Sequence, residues 1–167
     1  MIKIGQGVTM SGQRGTYMSK KSVSEAAVKR PWCMITDMDQ YLFGEGTHYE
    51  IYKKLGAHPT EYNGEQGVYF AVWAPHAKGV RVVGEFNCWG NDGYPMKRLD
   101  PLGIYEVFIP GLREGSMYKY LIETESGDYL YKADPFASYA EKRPGTASRV
   151  ADISQFIWHD ERWMEKR

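Results

Sequence analysis

From Gly67 onward the apolar residues recur at every second position. Val68, Phe70, Val72 and Ala74 alternate with Tyr69, Ala71 and Trp73, and after Pro75 and a Lys78-Gly79 turn the alternation returns in Val80, Val82, Gly84 and Phe86. A period of two is that of an extended strand, whose side chains point to opposite faces in turn. Met96 to Leu99, Ile104 to Ile109, Met117 to Thr124, Tyr129 to Lys132 and Thr146 to Val150 read as further strands. Between them lie turn-rich stretches such as Asp100-Pro101-Leu102-Gly103 and Glu125-Ser126-Gly127-Asp128, the second a hairpin loop. Short strands so closely punctuated predict an all-β fold, an immunoglobulin-like antiparallel β-sandwich over residues 67–152. Pro75 and Pro110 fall at strand ends, where they blunt edge pairing.

Ahead of Gly67 the signals are helical. Thr47 and Glu50 have capping-box spacing, Ile51, Tyr52 and Leu55 share one face, and Gly56 stands at the left-handed C-terminal cap before Pro59. Residues 34–66 are therefore expected to form a short helical extension. Residues 1–33, rich in Gly, Ser, Lys and Gln, are expected to be a disordered leader, apart from a short helix over Ser22 to Arg30. Gly5-Gln6-Gly7 follows no strand and lacks the lysine of a phosphate loop. Residues 153–167 read as a linker.

Charge narrows the partners. The 21 Lys and Arg balance the 21 Asp and Glu, so no basic surface suited to nucleic acid or anionic membrane is expected. No apolar run approaches the roughly 20 residues that span a bilayer. Cys33 and Cys88 lack metal spacing and follow no signal stretch, which points to free thiols in the cytoplasm. His48, His58, His76 and His159 make no metal motif, and neither a metal nor any other cofactor is expected. Aromatic residues at 14% of the chain, 13 of them Tyr and 5 Trp, fit a surface that stacks on flat, neutral ligands.

Three segments carry a family resemblance: Val80-Arg81-Val82-Val83-Gly84-Glu85-Phe86-Asn87-Cys88-Trp89, Tyr118-Lys119-Tyr120, and Lys132-Ala133-Asp134-Pro135-Phe136-Ala137. In order and spacing they resemble the starch- and glycogen-binding module of family 48. That module occurs in branching enzymes, debranching enzymes, trehalohydrolases and the β subunit of an energy-sensing kinase. Tyr41-Leu42-Phe43-Gly44-Glu45-Gly46-Thr47-His48, Arg143-Pro144-Gly145-Thr146-Ala147-Ser148 and Trp158-His159-Asp160 with Trp163 are similar to segments flanking the module in bacterial glycogen branching enzymes. The resemblance implies an α-glucan partner (glycogen, amylose or maltooligosaccharide) and a catalytic (β/α)₈ barrel further along the parent chain. Such a barrel takes about 250 residues, and its carboxylate pair has no counterpart here, so the chain is expected to be a catalytically inactive piece of a longer enzyme. A stand-alone glycogen-targeting module, or a support domain of a debranching enzyme, is the alternative.

The same resemblance nominates glucan-binding residues. Trp89, beyond Asn87 in a turn at a strand end, presents an indole for stacking on a glucose ring, and Asn87 is nominated with it as a glucan-binding residue. Lys119 matches a lysine that hydrogen-bonds sugar hydroxyls, and strand alternation puts it on the face opposite Tyr118 and Tyr120. Tyr129 stands near a second stacking position and Ser148 at that of a hydrogen-bonding Asn. Asp134, which precedes Pro135, reads as a turn residue and not as a catalytic acid. Phe136, Tyr139 and Arg143-Pro144 are expected to dock the barrel.

Overall fold

The computed structural model describes residues 34–154, 157 and 159–166. The expectations for the leader, its short helix, Cys33 and Trp158 lie outside the described residues. Ten strands among the described residues form two antiparallel sheets. The first has four strands in the order β1 (Gly56–Tyr62), β2 (Glu65–Trp73), β6 (Ile104–Pro110), β5 (Lys97–Leu99). The second runs β4 (Tyr94–Pro95), β3 (Ala77–Gly84), β7 (Met117–Thr124), β10 (Ser148–Arg149), β9 (Tyr139–Ala140). In it β8 (Tyr129–Lys132) also pairs with β7, opposite residues 120–123, while β10 takes Met117 and Tyr118.

The sheets face each other across Val68, Phe70, Val72, Val107 and Ile109 from one side and Val80, Val82, Tyr118 and Tyr120 from the other. These are the even positions of β2 and β7 and their partners, as the alternation requires. The chain is thus the expected all-β, immunoglobulin-like sandwich.

Residues 34–66 depart from expectation. The structure places helix α1 at Asp37–Gly44, opened by Thr36, whose hydroxyl accepts the Asp39 N–H while the Asp39 carboxylate accepts the Thr36 N–H. The segment expected to be helical after Thr47 is a single 3₁₀ turn, Ile51–Lys53, and the Thr47 hydroxyl instead donates to the Leu42 carbonyl, closing α1. Gly56 has the expected positive φ of 109°, but the chain leaves it as strand β1, with Pro59 on the sheet edge. The extension covers the outer face of the four-stranded sheet: Ile35 and Leu55 are fully buried against Tyr69, Ala71, Leu99 and Ile104. Strand β2 is therefore buried on both faces. Phe136, half-buried, also packs against this cluster.

Candidate functional site

The outer face of the six-stranded sheet holds most of the nominated residues. In the β3–β7 register Val83 lies opposite Lys119, and Tyr118 and Tyr120 flank it on the core side, so Lys119 points away from the core. At the end of β3 the chain turns through a 3₁₀ segment, Glu85–Asn87, into Cys88 and Trp89, both left-handed, with φ of 55° and 58°. Non-glycine residues rarely occupy that region, and two in succession need anchoring. The Trp89 N–H donates to the Gly84 carbonyl at 2.9 Å, and the Asn87 side chain spans the turn, accepting from the Gly84 N–H and donating to the Gly90 carbonyl. Both ends of the Asn87 amide are thus used within the turn.

The turn delivers a half-buried indole beside Lys119. The Lys119 ammonium lies 5.9 Å from the Trp89 ring centroid and donates to the Thr146 hydroxyl at 2.7 Å. Tyr131 on β8, opposite Leu121 of β7, shares its one hydroxyl hydrogen between the Asn91 side-chain oxygen and the Trp89 carbonyl at 3.2 Å. Tyr129, opposite Glu123, continues the same face. Lys119 and Glu123 are four residues apart on β7, so the aromatic track from Trp89 past Tyr131 to Tyr129 extends about 13 Å at the usual strand rise.

Ser148 is not on this face. It lies opposite Tyr118 and so shares that residue's inward side, is 2% exposed, and accepts the Asp134 N–H with its hydroxyl. The hydroxyl beside Lys119 is that of Thr146, expected at the start of the last strand but placed in the loop ahead of β10. Tyr131, also unanticipated, was within reach of the pattern: it stands two residues from Tyr129 on one strand. Asp134 is structural. Buried, it accepts from the Tyr118 hydroxyl at 2.6 Å, the Tyr120 hydroxyl at 3.1 Å and the Phe136 N–H at 2.8 Å. Burial raises its carboxyl above the ordinary carboxylate range against the pull of those donors, and burial together with the Asp134 charge raises both phenols.

The model of the family described as carbohydrate-binding module 48 (isoamylase N-terminal domain) matches residues 54–137, half of the chain. The chain belongs to the carbohydrate-binding module 48 family. Over 131 residues this module is 55% identical to the 1,4-alpha-glucan branching enzyme GlgB of Butyrivibrio fibrisolvens, covering 78% of the chain and 20% of that protein. It is 52% identical over 133 residues to the same enzyme of Synechococcus sp. (strain JA-3-3Ab), covering 80% of the chain and 17% of that protein. Among solved structures, pullulanase from Bacillus acidopullulyticus overlaps 59% of the module and 12% of its own chain, with a TM-score of 0.48 and 22% identity. The module thus spans about a fifth of the length of the curated relatives it matches. Among the described residues no helix is long and apolar enough to cross a membrane.

Proposed function

We propose that this chain is the glucan-binding module of a 1,4-α-glucan branching enzyme of the cytoplasm, and that it binds α-glucan through Trp89, Lys119, Tyr131 and Tyr129. The observation that carries this reading is the Trp89 turn. An indole held beside a sandwich by left-handed backbone, with an ammonium and a hydroxyl next to it, joins the two chemistries a sugar offers: an apolar ring face for stacking and hydroxyls for hydrogen bonds. Thr146 takes the role first assigned to Ser148. Base-aromatic stacking, a guide to sugar stacking, is worth about 1 to 3 kcal/mol per ring. One Trp and two Tyr, less the cost of ordering the sugar chain, then give dissociation constants toward the millimolar end. In gels containing glycogen the chain is expected to migrate late, and Trp89→Ala to restore normal mobility with an unchanged circular dichroism spectrum. Equal retardation of both proteins removes the proposal.

Cleavage of α-1,4 bonds and transfer to a 6-hydroxyl fall, on this reading, to a barrel elsewhere in the parent protein. Purified chain incubated with amylose should leave its iodine colour unchanged. Exposed Tyr139, Ile153, Ile157, Trp163 and Met164 support barrel docking, because large apolar side chains in such number on a surface mark an interface.

A further inference from the structure

Strand β8 is an edge that the molecule leaves open. It pairs with β7 on one side, from Tyr129 opposite Glu123 to Lys132 opposite Tyr120, and among the described residues no strand lies on its other side. The Thr124 N–H donates to the Asp128 carbonyl at 2.9 Å, so antiparallel alternation turns the N–H and C=O of Leu130 and Lys132 toward β7 and those of Tyr129 and Tyr131 outward. Among the described residues no backbone group meets those outward donors and acceptors. Tyr129, Leu130 and Tyr131 are 46%, 43% and 45% exposed, and the strand carries neither the proline nor the bulge by which edges are kept from pairing. We propose that β8 pairs with β8 of a second copy of this chain, antiparallel about a two-fold axis through Leu130.

The strand's own sequence selects that occupant and that register. In a two-fold contact the same patch meets itself, so it must be self-complementary. About Leu130 the run Asp128-Tyr129-Leu130-Tyr131-Lys132 is. Asp128 comes opposite the second copy's Lys132, and Lys132 opposite its Asp128. Tyr129 comes opposite the second copy's Tyr131, where the outward backbone groups of both exchange hydrogen bonds, and Leu130 meets its own copy. Moving the axis by one residue either way keeps the outward groups matched but sets Leu130 against a charge, Asp128 or Lys132. Both charges are exposed and available. Among the described residues Lys132 makes no ion pair, and the Asp128 carboxylate accepts from the Ser126 hydroxyl alone, at 2.8 Å.

Directly opposed residues of an antiparallel pair share a face, so the merged sheet carries the Tyr129 and Tyr131 rings of both copies on one side. Each Trp89 track then runs on into the other, and, on the glucan-binding reading above, a polymer engages both while a short oligosaccharide fills one. Two four-residue edges bury little beside the roughly 1,200 to 2,000 Å² of stable complexes, so the association is weak. Sedimentation velocity of the full chain at low ionic strength, where charge pairs are least screened, tests it without glucan. The weight-average mass should rise reversibly with concentration toward that of a dimer. Lys132→Glu and Asp128→Lys each oppose two pairs of like charges across the axis and should weaken self-association at least about tenfold, with unchanged circular dichroism. Mixed in equal amounts the two variants should associate again, because each offers the charge the other lacks. A wild-type chain that stays monomeric leaves the edge to some other strand and overturns the proposal. So does a dimer that both variants form as readily, or a mixture that associates no better than either variant alone. A chain that dimerises but is not retarded by glycogen overturns the glucan reading and leaves this interface standing.

Discussion

Trp89 stands at the surface because a hydroxyl and an amide hold the strained turn beneath it. Its own N–H is tied to Gly84, Asn87 bridges the turn, and Tyr131 reaches from β8 to the Trp89 carbonyl. Tyr131→Phe keeps the ring and removes only the hydroxyl, a loss of about 1 kcal/mol. Retention in glycogen gels should weaken about fivefold, and the rest of the sheet should be undisturbed. Retention equal to wild type would show that the turn needs no such tether. Gly84 allows nothing larger, since a Cβ there runs into the Met117 carbonyl and the Phe86 ring. Asp134 works on the other side of the same sheet. Asp134→Ala leaves the Tyr118 hydroxyl without its buried acceptor, while the Tyr120 hydroxyl keeps the Ala71 carbonyl at 3.3 Å. A fall of about 1 to 3 kcal/mol in urea unfolding is expected, above the roughly 0.5 kcal/mol of an ordinary surface change.

At the level of elements, the helix was misplaced for a reason that can be named. Two stretches share the pattern of a hydroxyl residue followed three positions later by an acid, Thr36 with Asp39 and Thr47 with Glu50. What separates them is tertiary: Asp39 is buried between His48 at 2.8 Å and Lys54 at 3.0 Å, which pins α1 to the 3₁₀ turn. Strand β1 was hidden because Gly56-Ala57-His58-Pro59 has the grammar of a helix end, while a proline on an edge strand loses nothing. By contrast β8 was legible to the residue, since the Gly-containing loop after Thr124 specifies a hairpin. Burial pushes the Asp39 carboxyl up, but the donors from Thr36, His48 and Lys54 outweigh it and hold it well below the usual carboxylate range. A depressed carboxyl stabilises the fold at pH above its unfolded value, about 3.9, and that contribution drains away as pH falls toward the folded value. Asp134 has the opposite sign. Its raised carboxyl favours folding most at low pH, so global unfolding mixes the two effects. The clean readout is local: hydrogen-exchange protection of residues 36–55 relative to β7 should decline as pH drops below about 4. Asp39→Asn should flatten that dependence. Protection that stays constant in the wild type contradicts the network's role.

For the molecule as a whole, the sandwich and its Trp89 face were readable because alternation reports which side a strand residue faces. The doubly buried β2 was not, because it depends on what the extension covers. The expected division at residue 67 is therefore the part of the sequence reading with most at stake. A family match beginning at residue 54 leaves out Ile35, yet Ile35 and Leu55 fill the outer face of β2 and β6. Burial of each aliphatic side chain is worth about 1.5 to 3 kcal/mol, so the pair supplies about 3 to 6 kcal/mol, against a total of about 5 to 15 kcal/mol for a domain. Their removal also bares Tyr69 and Ile104 and takes away the Met34 N–H that donates to the buried Glu106 carboxylate. A chain starting at Gly56 should lose its near-ultraviolet circular dichroism and bind a hydrophobic dye, whereas one starting at Met34 should retain the urea midpoint of the full 167 residues. If the Gly56 chain unfolds at the same midpoint, the extension is an appendage and the folding unit ends at the sandwich; if it collapses, the folding unit begins near residue 34.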